Sequence, residues 1–111
     1  MSCVFCKIAS KEMKSAVVRE TDSIMVIKDI NPQSPTHLLI LPKKHYSSIL
    51  DCPDKDLLAE MLVVAKEVAK EAGVDERGFR LVINTNEEGG QTVFHLHMHL
   101  MAGRSLMGRM G

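Results

Sequence analysis

The run Val93-Phe94-His95-Leu96-His97-Met98-His99-Leu100-Met101 constrains this chain more than any other, because from Phe94 to Leu100 apolar and imidazole side chains alternate without a break. A period of two marks a half-buried β-strand, in which successive side chains point to opposite faces. The spacing therefore predicts a strand over 93–101 with Leu96, Met98 and Leu100 on a core. His95, His97 and His99 line the other face, neighbours about 6.6 Å apart and the outer pair about 13 Å apart. Such a strand needs partners, so the rest of the chain must supply a sheet and something to cover it.

The candidates are legible. Val17-Val18-Arg19-Glu20 and Ile24-Met25-Val26-Ile27 flank the turn-forming Thr21-Asp22-Ser23 and predict a hairpin. A third strand is expected over 37–41 and a fourth over 79–84. Between them, over about 54–72, Leu57, Leu58, Met61, Leu62, Ala65, Val68, Ala69 and Ala72 recur at helical spacing. Pro53 suits the first turn of that helix and Gly73 its end. Strands before and after one long helix imply an α+β sheet with the helix across one face. With 111 residues and no internal repeat or linker, one domain spanning 1–111 is expected.

Composition narrows the function. Fourteen Lys and Arg balance fourteen Asp and Glu, so no broad positive field gathers nucleic acid or anionic lipid, and any phosphate site must be local. No stretch approaches the roughly 20 apolar residues of a membrane helix, and Met1 is followed at once by Ser-Cys-Val-Phe-Cys with no signal-like region, so a cytoplasmic protein is expected. In a reducing compartment Cys3 and Cys6, spaced C-x-x-C, suggest a metal site or a redox pair rather than a disulfide framework. Cys52 stands apart as an inert thiol near a helix start.

Three imidazoles on one face admit a solvated stripe or a zinc centre. They also admit a phosphate site, which the preceding Asn84 and Gly89-Gly90-Gln91-Thr92 favour: glycines let backbone N–H groups approach an anion, and Asn, Gln and Thr add neutral donors. A neutral imidazole can attack phosphorus to give a phosphohistidine-type intermediate that water resolves. A second imidazole can move the proton.

His95-Leu96-His97-Met98-His99-Leu100-Met101 resembles the motif of the histidine-triad (HIT) proteins, three histidines separated by apolar residues. Phe5-Cys6-Lys7-Ile8, Asp29-Ile30-Asn31-Pro32, Pro35-Thr36-His37, Pro42-Lys43-Lys44-His45 and Gly89-Gly90-Gln91 are similar to Hint proteins in the same order. Pro35-Thr36-His37 and Ala102-Gly103-Arg104 favour that branch over the fragile-histidine-triad branch. The resemblance implies a five-stranded antiparallel sheet with one long helix and a short N-terminal helix, two sheets joining across a homodimer. Each subunit would carry a purine nucleotide such as AMP or GMP.

By the same resemblance His97 is the nucleophile on the α-phosphorus, the His95 carbonyl orients its ring, and His99 contacts phosphate and helps the leaving group. Asn84, Gly90, Gln91, Thr92 and Val93 fall at the phosphate side, with Thr92 replacing a serine common in animal Hint proteins. Asp29 matches the ribose-binding acid, Ile8, Ile27 and Ile30 the purine slot, and Phe5 its wall. Taken without the resemblance, Ile8, Ile27, Ile30 and Val93 read as core in preference to a binding slot, and Asp29-Ile30-Asn31-Pro32 as a turn. Relatives with an N-terminal C-x-x-C further imply a structural zinc on Cys3, Cys6, His45 and His95, against the alternative of two reduced thiols without metal; no organic cofactor is expected.

The implied activity is cleavage of a P–N bond in a purine nucleoside phosphoramidate through a nucleotidyl-histidine, releasing nucleoside monophosphate. A dinucleoside polyphosphate hydrolase and a nucleotide-binding adaptor are the alternatives. The chain departs from the family after Arg104: Ser105-Leu106-Met107-Gly108-Arg109-Met110-Gly111 lacks the usual Trp-Pro-Pro-Gly-like tail, and with it the family's guide to leaving-group choice.

Overall fold

Five strands and one long helix organise the computed structural model, which describes residues 3–107. In chain order the elements are α1 (Val4–Ala9), β1 (Val17–Glu20), β2 (Ile24–Lys28), β3 (Thr36–Pro42), a 3-10 turn (Ile49–Asp51), α2 (Lys55–Glu71), β4 (Phe79–Val82) and β5 (Met98–Ala102). The strands form one antiparallel sheet in the order β1-β2-β3-β5-β4. The strand that carries the end of the histidine run is therefore interior, paired on both sides.

Each face of this sheet has its own cover. Ile24, Val26, Leu38, Ile40, Met98 and Leu100 point to α2 and pack with Leu57, Met61, Val64, Ala65, Val68 and Ala69. Met25, Ile27, Leu39 and Leu41 point the other way and pack with Phe5 and Ile8 from α1. With both faces covered, β2 and β3 are apolar without alternation, the reason they read as continuous hydrophobic runs.

Helix α2 starts at Lys55, two residues after Pro53. Asp54 is the N-cap, its carboxylate accepting the Leu57 N–H at 3.0 Å, and Pro53 lies before the cap rather than in the first turn. Gly73 follows the last turn with φ of +74°, a conformation that favours glycine. The apolar stripe is also rotated from the expected one. Met61, Val64, Ala65 and Val68, at the i, i+3, i+4, i+7 positions of one face, are buried, whereas Leu62 is half exposed and Ala72 is exposed.

The largest correction concerns 93–101. The ladder of β5 begins at Met98, and Val93, Phe94 and His95 form a bend. The Leu96 N–H donates to the Tyr46 carbonyl at 2.7 Å and the Gln91 side chain donates to the Val93 carbonyl at 3.1 Å, interactions that take this stretch off the sheet. The partition of side chains survives: Leu96 is still in the α2 core. Similarly β4 ends at Val82, short of the expected Asn84.

Candidate active site and metal centre

On the face away from α2, register places Leu39 opposite His99 and His37 opposite Met101, with Val82 opposite His99 on the other flank. His97, one step before β5, and His99 lie ring to ring with centroids 5.0 Å apart. Phe5 meets His97 edge-on at 5.0 Å and His95 at 5.8 Å. The phenyl ring thus packs on both His95 and His97, where the region divides into two sites.

At the first site the hydrogen bonds decide which nitrogen does what. His97 Nδ1–H donates to the His95 carbonyl at 2.7 Å, so its Nε2 carries the free lone pair. The Gln33 N–H donates to His37 Nδ1 at 3.0 Å, which puts the proton of neutral His37 on Nε2. That Nε2–H faces His99 Nδ1 at 2.9 Å and Asp29 Oδ2 at 3.4 Å. His99 therefore accepts at Nδ1 and bears its own proton on Nε2. Burial pushes the His97 imidazole below its ordinary range, and burial together with His97 and His37 pushes His99 down to about 4. Side by side at neutral pH stand an uncharged imidazole with a free Nε2 lone pair and an uncharged N–H donor.

His37 is the residue of this site that sequence reasoning passed over. It entered only as part of Pro35-Thr36-His37 and received no role. Its place beside His99 follows from the β3–β5 register, a contact 62 residues apart in sequence that no local pattern announces.

The expected nucleotide residues are brought to this face with different standing. Asp29 is half-buried, its Oδ1 accepting the Asn31 N–H at 2.8 Å and its Oδ2 turned to His37. Ile8 and Ile27 are buried in the α1-side core, Val93 packs against it, and Ile30 is 97% exposed, which removes the core alternative for Ile30. Asn84 donates to the Gly89 carbonyl at 2.7 Å and Gly90 has φ of +78°, so both shape the loop over 85–92; Thr92 is exposed. Gln91 has a task other than a free donor. Its Oε1 accepts the Asn86 N–H at 2.8 Å and its Nε2 donates to the Ser47 and Val93 carbonyls, so the buried amide pins the loop.

Beyond Phe5 lies the second site. Cys3, Cys6, His45 and His95 converge with one ligand atom each, all within 4.8 Å of one another. Cys3 Sγ to His95 Nδ1 is 3.4 Å, Cys6 Sγ to His45 Nδ1 is 3.3 Å and to His95 Nδ1 is 3.6 Å, and the two Nδ1 atoms are 3.2 Å apart. Tetrahedral zinc with ordinary Zn–N and Zn–S bonds has N···N edges of about 3.3 Å and N···S edges of about 3.5 Å. His95 Nε2–H donates to the Pro42 carbonyl at 2.7 Å, leaving Nδ1 as the lone pair that faces the cluster, the outer-shell arrangement usual for a metal-bound imidazole. The donor set and its spacing fit a structural zinc site; Cys52 is buried apart from it.

Comparison with known proteins agrees with this geometry. Residues 10–106 match the HIT domain family. The chain is 41% identical over 105 residues to the purine nucleoside phosphoramidase of Escherichia coli K12, covering 93% of this chain and 88% of that protein. It is 43% identical over 107 residues to a 14 kDa zinc-binding protein of Brassica juncea, covering 93% and 94%. A HIT family hydrolase from Legionella pneumophila superposes with a TM-score of 0.94 at 49% identity, over 96% of this chain and 97% of that one. An interior strand ending a histidine run, an imidazole oriented by its own backbone and these matches carry one conclusion: the chain belongs to the HIT domain family, among its Hint-like hydrolases.

Proposed function

We propose that this protein hydrolyses purine nucleoside 5′-phosphoramidates at the α-phosphorus. The observation that carries the reading is the assignment of ring protons: His97 held by the His95 carbonyl with Nε2 free, and His99 held by His37 with its proton on Nε2. His97 Nε2 attacks phosphorus, the P–N bond to the leaving amine breaks, and that nitrogen takes a proton from His99 or from water that His99 positions. Water then attacks the phosphorus of the nucleotidyl-histidine and returns a proton to His99, the P–Nε2 bond breaks, and nucleoside monophosphate leaves with His97 and His99 both restored. Asp29 binds the ribose hydroxyls, Ile30 packs on the exposed side of the purine over a floor of Ile8, Ile27 and Phe5, and the loop of Asn84, Gly90, Thr92 and Val93 faces the phosphate.

Cys3, Cys6, His45 and His95 would hold zinc, which when bound ties α1 to the sheet and takes no part in the chemistry. Because α1 supplies Phe5 and Ile8, the nucleotide side then depends on the zinc side for its floor. We further propose a homodimer joined at β4. The β1 edge carries a register shift between Val17 and Arg19, and Arg19 pairs with Glu67 and Glu71 of α2, whereas β4 offers a regular edge beside the catalytic strand. Sedimentation at micromolar concentration measures this. A reducing, cytoplasmic location suits the paired thiols, and no helix among the described residues is long and apolar enough to cross a membrane.

The decisive test is adenosine 5′-phosphoramidate turnover by the full chain beside His97→Ala and a diadenosine polyphosphate. AMP release that the variant loses supports the proposal. Preference for the diadenosine compound moves the activity to dinucleoside polyphosphate hydrolysis. Tight AMP binding with no turnover of either compound moves the protein to a nucleotide-binding adaptor.

A further inference from the structure

The C-x-x-C of Cys3 and Cys6 admits two chemistries, metal binding and thiol oxidation, and a zinc site uses only the first. The geometry serves the second as well. Cys3 is the N-cap of α1 and Cys6 lies one turn on, its N–H donating to Cys3 Sγ at 3.3 Å. Both sulfurs face one nitrogen, His95 Nδ1, at 3.4 and 3.6 Å, and they lie within 4.8 Å of each other. A disulfide needs Cα atoms about 4.4–6.8 Å apart, a span that one helical turn of about 5.4 Å supplies. Rotating the Cys3 side chain closes the gap while the Cys3 carbonyl keeps the Lys7 N–H at 3.1 Å. Cys3 and Cys6 are half-buried and Cys52 is buried, so a small oxidant in solution reaches the pair first.

The same two sulfurs hold α1 in place. Among the described residues, every polar contact from residues 3–9 to a residue beyond Met13 is a thiol–imidazole contact, from Cys3 or Cys6 to His45 or His95. The rest of the attachment is the apolar packing of α1 through Phe5 and Ile8. Phe5 in turn meets the His97 ring at 5.0 Å. From the other side, the two residues after His45 brace the phosphate loop: the Tyr46 carbonyl accepts the Leu96 N–H and the Ser47 carbonyl accepts Gln91 Nε2–H, both at 2.7 Å. The four ligands thus fix both the floor beside His97 and the anchor of the loop over 85–92.

We infer that Cys3 and Cys6 form a peroxide-sensitive switch on the nucleotide site. One sulfur attacks hydrogen peroxide, the O–O bond breaks, and the departing hydroxide takes a proton to become water. The second sulfur attacks the resulting sulfenic acid, the S–O bond breaks, a second hydroxide leaves as water after taking a proton, and the disulfide forms. The sulfurs lose two electrons and the peroxide gains them. Thiolate sulfur is the metal ligand, so two of four donors are lost together and zinc is released. Helix α1 then keeps only its apolar contacts, and the floor made by Phe5 and Ile8 loosens. A small dithiol reverses the bond by exchange. The switch rests on the zinc site and the nucleotide reading given above.

The test treats the reduced, zinc-loaded full chain with a few equivalents of hydrogen peroxide. Zinc release is read with a chromophoric chelator, the modified peptide by mass spectrometry and AMP affinity by calorimetry. Expected are loss of two hydrogens from the peptide holding Cys3 and Cys6, release of one zinc per chain and an AMP Kd raised about tenfold, equivalent to about 1.4 kcal/mol. Dithiothreitol with added zinc should reverse all three, which separates the switch from methionine oxidation, since sulfoxides survive that reductant. Cys52→Ala should respond as wild type does, and Cys3→Ser/Cys6→Ser should bind AMP as weakly as the oxidised protein and ignore peroxide. Absence of zinc from the reduced protein, zinc retained after the pair is oxidised, a sulfinate in place of the disulfide, or an AMP affinity that oxidation leaves unchanged overturns the switch. If the reduced protein binds no AMP, the nucleotide reading fails instead, and reversible zinc release with a lowered unfolding temperature decides whether the thiol pair controls α1.

Discussion

His95 and His99 are the same side chain four residues apart, and they end in different chemistry. His95 is fully buried, gives its Nε2 proton to the Pro42 carbonyl and turns Nδ1 to two thiols and a second imidazole. His99 is half-buried, accepts at Nδ1 from His37, keeps its proton on Nε2 and opens onto a cavity. His97 between them is set by its predecessor's backbone. A histidine's role here is chosen by which ring nitrogen its neighbours occupy, and those neighbours come from α1, from the segment after β3 and from β3 itself.

The sharpest way to break this comparison is at its midpoint. His97→Ala should lower AMP release by about 10⁴-fold or more, as loss of a nucleophile does, with thermal unfolding within a few degrees of wild type; comparable loss at an exposed control such as Lys66→Ala would dissolve the assignment. Next in size is the zinc end. Cys3→Ser/Cys6→Ser, or a chelator under reducing conditions, should lower the unfolding temperature by roughly 10 °C. One zinc per chain by elemental analysis should vanish with it; a stable variant would separate α1 from any metal.

The His99 end predicts a kinetic signature instead. His37→Ala frees the His99 tautomer and should cost about 10- to 100-fold in kcat with a much smaller change in KM. His37→Gln, which retains a side-chain donor, should recover part of it, and an unchanged pH profile in both would leave His37 merely structural. The smallest effect is on stability against pH. His99 is held near 4 when folded against about 6.5 unfolded, so the unfolded chain takes up the proton more readily. Stability is then full above about pH 6.5 and declines as pH falls toward 4. Urea midpoints from pH 7.5 to 5 should show a shallower decline in His99→Asn; parallel curves would mean that His99 does not contribute.

Much of this was open to a reader of the residues. The helix over α2, the hairpin and the odd-even split of the histidine run follow from short-range periodicity, and Leu96, Met98 and Leu100 do lie in the α2 core. Errors fell where a distant group outcompeted a local pattern. The Tyr46 carbonyl and Gln91 amide pull residues 93–97 from the ladder, and the sheet selects Val64 over Leu62 for burial. The Cys3, Cys6, His45, His95 set came through the family resemblance, since spacing alone leaves the choice of histidines open. The Gly108–Gly111 part of the atypical tail lies outside the described residues.

By itself the sequence determined the kinds of side chain, their alternation and hence which of them share a face, because a strand's period of two is a property of the backbone. It could not determine which nitrogen of each imidazole holds a proton, or that His37 backs His99. Those depend on strand register and on hydrogen bonds between segments dozens of residues apart, and only the folded sheet brings these groups within bonding distance.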